Sequence, residues 1–100
     1  MALLDITEYQ NLAQDDNGNR IAAGREPSLG NQQVAIGGGS LQSAALGGVT
    51  RFVRLHADAT CRIAFGVNPT AAATSQRMVA GQTEYFGVQP GIKIAVITSA

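Results

Sequence analysis

The chain predicts an all-β fold, a small β-sandwich or jelly-roll-like barrel, and three observations carry that expectation. Apolar residues recur with a period of two from Arg51 onward, turn residues separate these stretches at short intervals, and Gln89-Pro90-Gly91 near the end is a turn with a definite mechanism. In Arg51–Ala57, Val53, Leu55 and Ala57 alternate with Phe52, Arg54 and His56, so one face turns inward and the other is mixed. Cys61, Ile63 and Phe65 alternate with Arg62 and Ala64 in the same way. Counted from Gln89, Pro90 falls at the second and Gly91 at the third position of a type II turn, where glycine supplies the positive φ. This turn predicts that Thr83–Val88 and Ile92–Thr98 pair antiparallel, bringing Phe86 and Val88 to Ile92 and Ile94. Between the strands, Asn68-Pro69-Thr70 opens a connection of small residues reaching Ser75, which forms a helical turn or crosses one end of the sandwich. Met78–Val79 forms a brief strand, and Ala80-Gly81-Gln82 turns the chain.

Residues 49–100 thus read as an antiparallel β core, and residues 1–48 as an extended N-terminal arm with glycine-rich connections, partly added to the sheet of a single domain. Asn17-Gly18 signals a hairpin, since both central positions of a type I′ turn need positive φ. A helix over Asp5–Gln14, with Ile6, Tyr9, Leu12 and Ala13 on one side, is the competing reading of the preceding stretch. Glu26-Pro27-Ser28 breaks any regular element, because proline lacks a backbone donor. Gln32–Ile36 reads as a short strand stopped by Gly37-Gly38-Gly39. The run from Gly37 to Gly48 suits a linker, or a loop that approaches another backbone closely.

At 100 residues the chain is one domain, burying roughly two thirds of its unfolded surface. Its 45% hydrophobic content is rich in alanine and includes only 5% aromatic residues, so the core is thin and oligomerisation is a source of further burial. Seven basic and seven acidic residues cancel, which argues against nucleic acid as the main partner. Arg51, Arg54 and Arg62 cluster in sequence, and two adjacent strands would bring them together, with Asp58 beside them. No apolar run is long enough to cross a bilayer, and Met1-Ala-Leu-Leu4 runs straight into Asp5 without the profile of a signal peptide. The expectation is a soluble chain made in a reducing cytoplasm, with no membrane partner.

A search for chemistry leaves nothing with the right geometry. The single cysteine, Cys61, forms no internal disulfide and faces the core, while the only histidine, His56, shares a strand face with Asp58. Asp58 and Glu84 are the acids of the sheet region, and nothing in the spacing makes them converge as a glycosidase pair. Asp15-Asp16-Asn17-Gly18 lacks the spacing and the distal glutamate of a calcium loop, and Gly37-Gly38-Gly39-Ser40 lacks the Lys-Ser/Thr of a phosphate loop. No catalytic residue, cofactor or metal site is expected, and the chain reads as a protein that works through its surface.

The stretch from Arg51 to Thr70, RFVRLHADATCRIAFGVNPT, together with Glu84-Tyr-Phe-Gly-Val-Gln-Pro-Gly-Ile-Lys-Ile-Ala-Val96, resembles a recurring segment of small virion structural proteins in tailed bacteriophages. The likeness covers about the C-terminal half. It implies a capsid decoration or cement protein that sits on the outer shell, binds the major capsid protein and holds neighbouring subunits together, made in the host cytoplasm and working as a dimer or trimer. A tail or neck protein, or a surface carbohydrate-binding module using Tyr9 and Tyr85, are the alternatives. The interface candidates are Leu3, Leu4, Tyr9, Val34, Ile36, Arg54 and His56. Leu3-Leu4 and Val34–Ile36 either add to a neighbour's sheet edge or complete the protein's own sheet.

Overall fold

The structure, a computed structural model, describes residues 2–14 and 16–99; Asp15 and the side chains of Ala13 and of residues 21–23 lie outside the described residues. Ten strands follow one another: β1 (Leu3–Tyr9), β2 (Leu12–Gln14), β3 (Arg20–Gly24), β4 (Gly30–Ala35), β5 (Leu41–Gln42), β6 (Phe52–Ala57), β7 (Cys61–Gly66), β8 (Gln76–Met78), β9 (Thr83–Gly87) and β10 (Lys93–Thr98). Among the described residues there is no helix, so the all-β expectation holds and the helical alternative over Asp5–Gln14 does not. One antiparallel sheet has the order β4-β1-β6-β9, the second β5-β10-β7-β8, and β2 and β3 form a separate hairpin.

The strand pairings are nested. β7 pairs with β8, β6 with β9, β5 with β10 and β4 with β1, and successive pairs alternate between the two four-stranded sheets. The two-residue period decides which side of each strand meets the core. Leu4, Ile6, Val53, Leu55 and Val34 enter from the first sheet, Cys61, Ile63, Met78, Ile94 and Val96 from the second, and all ten belong to one buried cluster. Phe65 and Phe86 meet across the two sheets with ring centroids 5.1 Å apart.

Two expectations are corrected by this topology. Thr83–Gly87 and Lys93–Thr98 do not pair: β9 lies beside β6, whereas β10 lies between β5 and β7 in the other sheet. The turn itself is as expected, with Gly91 at φ 81°, but it carries the chain across the core rather than back along one sheet. Phe86, Val88 and Ile92 still pack against the cluster that holds Ile94. Arg54 and Arg62 are likewise in opposite sheets, because the Asp58–Thr60 corner switches sheets.

The first 48 residues also differ from an extended arm. β1 is an inner strand, paired with β4 on one side and β6 on the other, and Leu4 and Ile6 are among the most buried side chains. What projects is the β2–β3 hairpin, which helps to give the molecule its 46 × 26 × 23 Å shape. Gly18 has φ 81°, yet no described residue other than glycine has a positive φ, so the loop joining β2 to β3 is not a type I′ turn. The hairpin is fastened at its base: Arg25 N–H donates to Asn11 C=O, and Gly24 lies so close to the Tyr9 ring that a Cβ there would overlap it.

The glycine-rich run is a strap along the edge of the second sheet rather than a free linker. Ser43 N–H donates to Ile94 C=O and its hydroxyl accepts from Ile94 N–H, while Leu46 N–H donates to Ile92 C=O and Leu46 enters the core. Glu8, in phase with Leu4 and Ile6 and only 8% exposed, ties this strap to the first sheet. Its carboxylate accepts from Gly47 N–H at 2.8 Å, the Thr50 hydroxyl at 2.9 Å and Gln32 Nε2 at 3.2 Å. The Gln32 amide in turn bridges to Ala44, accepting from its N–H at 2.9 Å and donating to its C=O at 3.4 Å. Glu8→Ala leaves the fully buried Thr50 hydroxyl and a strap amide without their acceptor, so equilibrium urea unfolding should read a loss of about 3 kcal/mol. An unchanged midpoint would contradict this role for the carboxylate.

Candidate functional site

The two outer faces are treated differently by the chain. On the second sheet, Ala95 points outward in the strand alternation, opposite Gln42 and Ala64, yet has no exposure. The connection from β7 to β8 covers this side: Gln42 Nε2 donates to Asn68 Oδ1 at 2.8 Å and Pro69 C=O at 2.7 Å, Ala71 N–H donates to Ser40 Oγ, and Arg62 donates to Ser75 C=O. Residues 68–75 therefore run over a sheet face rather than across one end of the sandwich, and Ala64 and Ala95 suit this because small side chains admit a close-lying loop.

The outer face of the first sheet is open. Strand register lines its side chains up in rows: Asn31, Thr7, Arg54 and Tyr85 in one, and Gln33, Asp5, His56 and Thr83 in the next. Tyr9 and Phe52 close one end, their rings stacked at 5.2 Å and 16°, and Tyr85 leans on Phe52 at 6.3 Å. Two shallow depressions of about 470 and 430 Å³ lie on this face and share Thr7, Asn31 and Arg54. The acids at its margins are engaged by neutral donors. Gln33 Nε2 donates to Asp5 Oδ1 at 2.9 Å, and the Tyr9 hydroxyl donates to Glu26 Oε2 at 2.6 Å.

The interface candidates fall in three places. Leu4 and Val34 lie in the protein's own core, completing its own sheet, and Ile36 packs against that core while its N–H donates to Ala2 C=O. Leu3 is half-buried at the start of β1, where its N–H donates to Asp58 Oδ2 and its C=O accepts from Asp58 N–H. Tyr9, Arg54 and His56 share the open face. His56 is half-buried, with Nδ1 2.8 Å from the Thr83 hydroxyl and Nε2 4.0 Å from Asp58. Sequence reasoning did not find Asp5, Thr7, Asn31 and Gln33. Their signal was the polar phase of two strands, Asp5 and Thr7 against Leu4 and Ile6, and Asn31 and Gln33 beside Val34, but only register places the two phases side by side.

Among the described residues no group of three or more His, Cys, Asp or Glu is arranged to hold a metal ion, and no helix is long and apolar enough to cross a membrane. No family model, curated protein or solved structure matches the chain.

Two titrations report on this architecture. Cys61 has no exposure, and burial pushes its thiol up from 9.0, away from the reactive thiolate. A thiol reagent such as dithionitrobenzoate should label Cys61 only at the rate of unfolding, and prompt labelling of the native protein would contradict the buried placement. The hydrogen bond to Glu26, followed by burial, raises the Tyr9 phenol from 10.0 to about 12. The folded state holds this proton more tightly than the unfolded chain, so the associated stabilisation is complete below pH 10 and is lost as pH rises from 10 through 12. Urea midpoints measured across that window should fall, and fall less in Tyr9→Phe; equal slopes in the two proteins would show that another group is responsible.

Proposed function

We propose that this chain is a structural virion protein, a phage capsid decoration protein that binds the outer shell and stabilises contacts between capsid subunits. Reading the fold as a jelly roll is supported by the nested pairs β7–β8, β6–β9 and β5–β10, which follow the winding of a double ribbon, with β1 beside β4 where a strand following β10 would lie. The placement on a phage particle rests on the resemblance of the Arg51–Thr70 and Glu84–Val96 segments to small virion proteins. The observation that carries the surface role is the β2–β3 hairpin. A two-stranded ribbon is marginally stable alone, and this one is held to the body at its Asn11–Arg25 and Tyr9–Gly24 base, with residues 16–20 all exposed. Such a ribbon gains order by adding to a neighbour's sheet edge, where backbone hydrogen bonds supply affinity without special side chains.

Two of the four sheet edges, β9 and β5, disfavour sheet extension. β9 carries Glu84 in its inward phase, opposite Leu55, and β5 is two residues long, both features that blunt edge pairing. A working dimer or trimer that touches several capsid subunits at once adds avidity without new contacts.

Cryo-electron microscopy of the intact particle tests the placement. Density for the chain on the icosahedral lattice, with the hairpin against the major capsid protein, is the expected result, and density confined to the tail or neck sinks the decoration reading. Replacing Leu12–Gly24 by a two-residue Asn-Gly turn should lower shell occupancy at least tenfold while the circular-dichroism spectrum of the body persists; full occupancy would remove the hairpin from the anchor.

A further inference from the structure

The open face of the first sheet has one charged group with no counterpart. Among the described residues, no hydrogen bond or ion pair reaches Arg54; the only ion pair within this set is His56 with Asp58. Arg54 is half-buried in the middle of the sheet, between Thr7 on β1 and Tyr85 on β9. Both depressions of the face converge on it. Neither nearby carboxylate closes an ion pair with it: Asp5 accepts from Gln33 and Glu26 from Tyr9. A guanidinium presents a planar fork of donors that matches a carboxylate in two parallel hydrogen bonds, and a half-buried position strengthens such a pair.

The surroundings select among carriers of a carboxylate. Asn31 and Thr7 offer neutral donors and acceptors in register with Arg54, and Tyr85, 44% exposed, offers a ring wall backed by Phe52. Neutral amides and hydroxyls beside an exposed aromatic ring suit a ligand that is rich in hydroxyls and has one flat apolar side. A protein partner would require an apolar centre to bury, and this face has none beyond Tyr85. We propose that the Arg54 face binds an acidic saccharide, with the sugar carboxylate on the Arg54 guanidinium, its hydroxyls on Asn31 and Thr7, and a sugar ring against Tyr85. The site touches the hairpin only at its Gly24 base, and the proposal holds whether or not the hairpin anchors the protein to a shell.

Titration of the full chain with trigalacturonate, galactotriose and a tri-glutamate peptide, followed by amide NMR shifts, tests this assignment. Trigalacturonate should shift the Thr7, Asn31, Arg54 and Tyr85 amides, with galactotriose and tri-glutamate each binding at least tenfold more weakly. Arg54→Gln should weaken trigalacturonate at least tenfold and Arg54→Lys by less, because lysine keeps the charge but loses the fork. Tyr85→Ala should weaken both saccharides. Arg54→Gln removes no internal hydrogen bond or ion pair and keeps most of the half-buried stem, so its thermal midpoint should stay near the parent's and separate lost binding from lost folding. The proposal is overturned if trigalacturonate leaves these amides unmoved, if galactotriose or tri-glutamate binds as tightly, or if Arg54→Gln binds like the parent.

Discussion

A single buried carboxylate holds the two sheets in their relation to one another. Glu8 sits in the inward phase of β1, at the end of the core, and gathers donors from Gln32 on β4 and from Gly47 and Thr50 on the strap that leads into β6. With the strap in place, Leu46 fills its position in the core, its N–H reaches Ile92 and its carbonyl receives the Gly91 N–H. The turn that sends β9 into β10 is thus fixed from the far side by the same segment that Glu8 anchors. A carboxylate removed from water is costly unless its lone pairs are occupied, and here three charge-assisted hydrogen bonds occupy them.

That arrangement suits a core with few large side chains. The buried cluster is almost wholly aliphatic, with the aromatic rings of Phe65 and Phe86 at its margin, so much of the specificity of the fold comes from polar contacts between segments. Gln32 illustrates this. Its amide pairs with Ala44 through both oxygen and nitrogen, as a backbone unit would, and so continues the hydrogen bonding of the β4 edge across to the other sheet. The Tyr9 ring performs a comparable service at the opposite margin, lying between Phe52 and the glycine at the base of the projecting hairpin.

Strand positions were legible because burial on one face imposes a period of two, and Val53, Leu55, Cys61, Ile63, Ile94 and Val96 all lie inside as that period requires. Partners were not legible. The Pro90-Gly91 turn was read with its positive φ in the right place, but turn geometry is local and does not say whether the next strand returns to the same sheet. Glu8 escaped notice because its stretch reads as an extended arm or a helix, and only the strand period of β1 puts it on the inward side with Leu4 and Ile6. The strap escaped because glycine and serine look flexible until their backbone groups are matched to those of Ile92 and Ile94. The open face was half legible: Arg54 and His56 stood out on one strand, while Asn31, Gln33, Asp5 and Thr7 joined them only through cross-strand register.

The two ends of the fold meet at one corner, where Asp58 N–H donates to Leu3 C=O and Ser99 N–H donates to Thr60 C=O. β1 therefore starts, and β10 finishes, at the same end of the molecule, each in a different sheet. Each of these strands is hydrogen-bonded on both sides and carries fully buried side chains, so drawing either one out breaks two ladders and opens the core together. The corner that joins Leu3 to Asp58 and Thr60 to Ser99 therefore ties the two sheets together through strands that each lie in the interior of their own sheet.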